Sequence, residues 1–247
     1  MLVELHAVSK AFGSVRALDR VSLEILPGQV VAVLGANGAG KTTFLRLLAG
    51  IAAPDRGSVT LDGEPFRRDR LDQRRRLHFL PDFPPLLLHD TVLANLALVL
   101  KLFGRDGPGV EQAVLDRLEE FDLLPLADAL VGTLSRGQSY KVALTALLVV
   151  DPELWLLDEP LASGMDPLGL SAFRGHAREA VGRGRTVIYT TQVLEVVERF
   201  SDRVCLLHEG EVRAWLTTGE LRERAAGTGE DPLDRLFRQL RETRDAG

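Results

Sequence analysis

Residues 30–42 read Val30-Val31-Ala32-Val33-Leu34-Gly35-Ala36-Asn37-Gly38-Ala39-Gly40-Lys41-Thr42. The uninterrupted apolar run predicts a strand covered on both faces. The stretch from Gly35 fits G-x-x-x-x-G-K-[ST], so the strand feeds directly into a phosphate-binding loop. Its glycines let the backbone wrap an anion with N–H groups pointing inward. Thr43 follows, and Phe44, Leu45, Leu47, Leu48 and Ile51 recur at helical spacing. That spacing predicts a helix over 42–51 whose positive end faces the same anion. Lys41 is expected to reach the β- and γ-phosphates of a nucleotide, and the Thr42 hydroxyl to ligate Mg²⁺.

Outward from this loop the pattern divides. Before it, Val21–Ile25 alternates apolar and polar residues and Pro27-Gly28 marks a turn, which predicts short strands over 1–62. Residues 57–63 read as one more strand with a tight turn. Residues 82–150 are helical in pattern, with helices expected over 91–103, 110–123 and 136–150. Asp151-Pro152 stops the last of these. Apolar strands return at 154–157 and 186–191, with a crossover helix over 168–181 between them. That alternation predicts a parallel α/β sheet. The chain after Gly210 is more polar, 225–229 reads as a flexible link, and 232–241 as a short amphipathic helix.

Two further stretches carry chemistry. Leu156-Leu157-Asp158-Glu159-Pro160 ends an apolar strand. An Asp there can hold Mg²⁺ through water, and the following Glu can orient or deprotonate an attacking water. By itself the Asp-Glu pair fits a strand end reaching solvent. Leu134-Ser135-Arg136-Gly137-Gln138 opens the helix at 136. It fits a capping box, with Ser135 as N-cap and Gln138 reaching back, and the same helix start can grip a second phosphate.

With the loop at 35–43, these stretches resemble the ATPase subunits of ABC transporters, in order and over about residues 2–215. The resemblance implies a P-loop NTPase core with a mixed/parallel sheet at 1–81 and 151–215. It adds an N-terminal antiparallel β subdomain, an inserted helical subdomain at 82–150 and a tail at 216–247. It implies ATP and Mg²⁺ as ligands. Two copies, or this chain and a homologous ATPase subunit, would sit head to tail. Each ATP would then lie between the loop of one and Ser135, Arg136, Gly137 and Gln138 of the other. Arg136 replaces the usual second glycine, with its side chain expected at the rim. Asp166, in Ser163-Gly164-Met165-Asp166, is expected at the dimer seam. Phe12 falls where the family stacks a ring on adenine; a core Phe near a turn is the alternative.

Two positions depart from the family. Asp82 stands where a Gln usually contacts Mg²⁺ and the transport partner. Gln192 stands where a His usually contacts the γ-phosphate; an amide can donate to phosphate but cannot carry charge or shuttle a proton. Glu159, Lys41 and Gln192 are thus the expected catalytic set, Thr42, Asp158 and Asp82 the metal set, and hydrolysis is expected to be slow.

Composition sets the outer limits. The chain has 247 residues, 45% hydrophobic and 26% charged, with formal net charge −5, so no electrostatic attraction to nucleic acid is expected. Arg67, Arg68, Arg70, Arg74, Arg75 and Arg76 crowd together, as a solvated face or as a contact for anionic lipid or an acidic partner. Cys205 is the single cysteine and reads as a small core residue, which fits a reducing cytosol. The opening residues lack a signal-peptide pattern, and the apolar stretch 86–103 is interrupted by His89, Asp90, Asn95 and Lys101. A separate membrane permease would therefore form any transport path, with this chain cytoplasmic and peripheral at the inner membrane face. The helical region near 82–98 is its expected contact. Val193–Arg203 and the 233–240 segment resemble the exporter-type branch of that family. A soluble ABC-type ATPase of an iron–sulfur assembly complex and a slow-hydrolysing ATP sensor are the alternatives.

Overall fold

The computed structural model describes residues 1–225. The chain opens with β1 (Val3–Phe12), β2 (Val15–Ile25) and β3 (Val30–Leu34), then α1 (Lys41–Leu48), β4 (Arg56–Leu61), β5 (Glu64–Pro65), α2 (Leu71–Arg74) and β6 (Leu77–Leu80). Three longer helices follow: α3 (Val92–Leu102), α4 (Val110–Glu120) and α5 (Arg136–Val150). The chain then runs through β7 (Leu154–Leu157), α6 (Pro167–Gly182), β8 (Thr186–Thr191), α7 (Leu194–Phe200), β9 (Arg203–His208), β10 (Glu211–Thr217) and α8 (Thr218–Ala225).

Two sheets result. A four-stranded antiparallel sheet has the order β2-β1-β4-β5. A six-stranded sheet has the order β10-β9-β3-β8-β7-β6, parallel except for the β9–β10 hairpin. The α/β class with an antiparallel β part and an inserted helical part is as the sequence predicts.

Side-chain alternation explains why the central strands are apolar throughout. Val31, Val33, Leu154, Leu156, Ile188, Cys205 and Leu207 point into one core with α1 and the antiparallel sheet. Val30, Ala32, Leu34, Trp155, Leu157, Val187, Tyr189, Val204 and Leu206 point into a second core with the helices on the other face. The mixed sheet is thus the shared wall of two hydrophobic clusters. Cys205 is fully buried there, and burial pushes its thiol up to about 12, which suits a packing role.

Several boundaries differ from the sequence reading. Helix α1 stops at Leu48 rather than reaching Ile51, because Gly50 turns left-handed at φ 68 and Ile51 emerges into solvent. The stretch after Gly210 is not a polar tail at first: β10 pairs with β9 as far as Thr217, and α8 follows. Ala225 closes α8 instead of opening a link, and the rest of that link and the 232–241 helix lie outside the described residues. In the arginine cluster, Arg67 pairs with Asp69, Arg70 with Asp72, and Arg76 with both Asp62 and Glu153. Arg76 therefore ties the β4–β5 turn to the start of β7. No helix among the described residues is long and apolar enough to cross a membrane.

Candidate nucleotide site

Parallel pairing brings the C-terminal ends of β3, β8, β7 and β6 side by side. The segments leaving those ends carry, in the same order, Gly35–Thr43, Gln192, Asp158 with Glu159, and Asp82. Crevices at such strand ends are where open α/β sheets bind ligands.

The loop after β3 is tied at both sides. Gly35 N–H donates to the Thr191 carbonyl at 3.3 Å, and Gly210 N–H to the Ala39 carbonyl at 3.0 Å. Gly40 caps α1 at φ 104, and a Cβ there would collide with the Ala17 carbonyl oxygen. Lys41 is buried and turns into its own loop. Its Nζ donates to the Gly35 carbonyl at 2.8 Å and the Ala36 carbonyl at 3.2 Å, and lies 3.3 Å from Glu159 Oε1. Thr42 and Thr43 follow within the first turn of α1, both half-buried.

Asp158 is buried at the end of β7. The Thr190 hydroxyl donates to its Oδ1 at 2.7 Å and accepts the Glu159 N–H at 2.9 Å. Glu159 itself sits at φ 49, ψ 46, a left-handed conformation that a residue with a Cβ adopts only where its surroundings hold it. Burial raises the Glu159 pKa, Lys41 opposes that, and the charges of Asp158 and Asp82 add to it. Thr42 and Asp158 are hard oxygen donors of the kind Mg²⁺ takes, few enough that phosphate and water would complete its shell. Among the described residues no group of His, Cys, Asp and Glu gathers as a metal cluster of its own.

Ser135–Gln138 sits apart from this. Ser135 Oγ accepts from Gln138 N–H at 3.2 Å, and Gln138 Oε1 accepts from Ser135 N–H at 2.9 Å, a complete capping box. Gly137 packs on the loop after Glu159 so closely that a Cβ would collide with the Gly164 carbonyl. Among the described residues no hydrogen bond or ion pair joins 134–138 to the loop at 35–43 of the same chain.

Three of the expected residues have partners within the chain. Arg136, half-exposed, pairs through its guanidinium with the Asp82 carboxylate and lies 4.6 Å from the centroid of the Phe83 ring. The same contact gives the Asp82 carboxylate, expected in the metal set, a guanidinium partner. Asp166 is engaged internally, capping α6 through Gly169 N–H at 2.7 Å and pairing with Lys141 Nζ at 2.5 Å. Those partners hold its pKa below the ordinary carboxylate range, the Lys141 hydrogen bond foremost. Gln192 is exposed beyond β8. Phe12 is 52% exposed with the Lys10 ammonium 5.4 Å from its ring centroid, which rules out the core reading.

The roles of Thr190 and Asn95 are not evident from the sequence. Asn95, buried in α3, accepts from Leu87 N–H at 2.7 Å and donates to the Leu87 and Thr91 carbonyls at 3.1 and 3.0 Å. It fixes the proline-rich segment after Asp82. Thr190 carries no distinguishing signal, because Thr186, Tyr189 and Thr191 bring hydroxyls to the same strand; Asn95 stands out as a polar residue on an apolar helix.

A family model described as ABC transporter matches residues 18–162. The Nod factor export ATP-binding protein I of Paraburkholderia xenovorans (strain LB400) is 38% identical over 208 residues, covering 84% of this chain and 68% of that protein. The ABC-type transporter ATP-binding protein EcsA of Bacillus subtilis (strain 168) is 34% identical over 230 residues, covering 93% and 92%. A solved structure of an ATP binding subunit of an ABC transporter superposes with TM-score 0.87 at 28% identity, over 98% of this chain and 100% of that one. That of cbiO1 from Clostridium perfringens gives 0.73 at 26% identity, over 90% of each.

Proposed function

This chain belongs to the ABC transporter family, as an ATP-binding subunit, and from that premise we propose that two copies close head to tail around Mg-ATP and drive a separate membrane permease. The observation that carries the reading is a division of labour within the chain. The loop at Gly35–Thr43, Asp158 and Glu159 converge at one set of strand ends. The capped start of α5, an N-terminal helix end of the kind that binds anions, contacts Asp82 and Gly164 and makes no hydrogen bond or ion pair to the loop at 35–43 among the described residues. A second chain, rotated by half a turn, supplies what each site lacks.

In that arrangement the loop N–H groups and Lys41 bind the β- and γ-phosphates. Thr42 and Asp158 hold the Mg²⁺, which supplies charge neutralisation to the triphosphate. Phe12 offers its exposed ring to adenine. Glu159, held rigid by its N–H bond to Thr190, orients and accepts a proton from water. Ser135, Gly137 and Gln138 face the partner's triphosphate, and Asp166 anchors the seam loop to α5 through Lys141.

Hydrolysis is slow because Gln192 brings no charge to the γ-phosphate. The exposed Phe83, Leu87, Leu88 and Leu98 form the permease contact. The chain works in the cytoplasm at the inner membrane face. The Nod factor export relative favours the export direction. Glu159→Gln tests the core of this reading. With Mg-ATP it accumulates a nucleotide-bound dimer by light scattering; a strictly monomeric species that still binds ATP overturns the composite site.

A further inference from the structure

Two residues that break the family's pattern, Asp82 and Arg136, lie 54 positions apart and meet in space. Arg136 is the first residue of α5, directly after the Ser135 cap. Asp82 leaves the end of β6, and the segment behind it is pinned by Asn95. The guanidinium donates to Asp82 Oδ1 and rests on the Phe83 ring, so ion pair and cation–π contact act on one group. Neither side chain is sealed: Arg136 keeps 45% of its side-chain surface and Asp82 31%. One turn further along α5, the Tyr140 hydroxyl is buried without a hydrogen-bond partner. The arginine is therefore held in a half-exposed ion pair above a buried, unpartnered hydroxyl, not locked in a finished core.

A guanidinium takes carboxylate and phosphate oxygens in the same fork geometry, and a triphosphate carries the greater charge. Asp82 thus occupies the arginine as a phosphate would. We propose that Arg136 is a two-partner side chain, held by Asp82 and Phe83 in the separate chain and transferred to the triphosphate bound by the second copy when the pair closes. Asp82 is then a positioning residue that acts through Arg136 and opposes closure. This rests on the head-to-tail reading and deepens it: closure exchanges an internal acidic partner for an external one.

The test uses the full chain carrying Glu159→Gln. Its dimer fraction is followed by light scattering against Mg-ATP concentration, with ATP binding to the chain measured by calorimetry. Asp82→Ala lowers the ATP concentration for half-dimerisation by about threefold to tenfold, the scale of an exposed ion pair backed by a ring. Arg136→Ala raises it by at least as much, and Arg136→Lys, which keeps charge but loses the fork, falls between. The double variant Asp82→Ala/Arg136→Ala matches Arg136→Ala alone, because Asp82 has no effect without its arginine. Arg136→Gln replaces Arg136→Ala in the series if the alanine variant melts early.

The proposal fails if both single alanine variants raise the concentration and the exchange Asp82→Arg/Arg136→Asp restores the parent value. That pattern marks a static structural pair. It also fails if Arg136→Ala leaves the concentration unchanged. A Glu159→Gln chain that binds ATP and never dimerises removes the head-to-tail reading, and this inference with it.

Discussion

One hydroxyl of Thr190 serves both acids: it donates to Asp158 Oδ1 at 2.7 Å and takes the Glu159 N–H at 2.9 Å. Thr190→Val keeps the shape and deletes both bonds. A buried carboxylate and a part-buried N–H lose their partner, which costs about 1–3 kcal/mol in stability. The left-handed Glu159 also loses a constraint, so ATP turnover drops by roughly tenfold or more. Denaturant midpoints and steady-state rates check this, and Thr190→Ser restores both.

Lys41 is the one ammonium inside its loop, bonded to the Gly35 and Ala36 carbonyls. Lys41→Ala removes charge-assisted contacts worth about 1.5–3 kcal/mol each to phosphate. ATP affinity falls by at least about tenfold. Calorimetry reads the loss directly, and the nucleotide-induced rise in melting temperature disappears with it.

Gln192 stands exposed at the end of β8. A positioned imidazole there adds charge and proton-transfer capacity, which together are worth roughly tenfold or more in rate. Gln192→His is therefore faster than the natural chain in steady-state turnover. An equal or lower rate shows that Gln192 does not limit the chemistry.

Gly137 packs against the Gly164 carbonyl with no room for a methyl group. Gly137→Ala forces the start of α5 away from the 163–166 loop, at about 1–3 kcal/mol. The melting temperature falls by a few degrees, and ATP-driven dimerisation weakens more than ATP binding to the separate chain.

His78 stacks on Phe103 with ring centroids 5.0 Å apart, and its Nδ1 is buried without a partner. Burial lowers its pKa from 6.5 to about 4. Between those values the unfolded chain binds the proton and the folded one does not, so stability is complete above 6.5 and is lost as pH falls toward 4. The loss is of the order of 1–3 kcal/mol. His78→Phe flattens that part of the stability profile, as denaturant titrations across the pH series will read.

What could be read in the sequence is what repeats locally. Val30–Leu34 showed its strand because every side chain is apolar, and the glycines after it showed their loop because few residues tolerate those turns. The capping box at Ser135 and Gln138 was legible because it spans a single turn. Pairings across the fold were not. Nothing in one sequence ties Asp82 to Arg136, Lys141 to Asp166 or Asn95 to Leu87, since each contact depends on where separate elements land. The helix end at Leu48 was misread because apolar spacing continued to Ile51 while Gly50 had already turned the backbone.

The lodging of Lys41 against its own loop carbonyls bears on how nucleotide enters. A loop furnished with its own cation exchanges two carbonyls and a nearby carboxylate for phosphate oxygens. The ammonium that meets the phosphates is thus already seated before nucleotide arrives, and its part in binding is a local swap of partners.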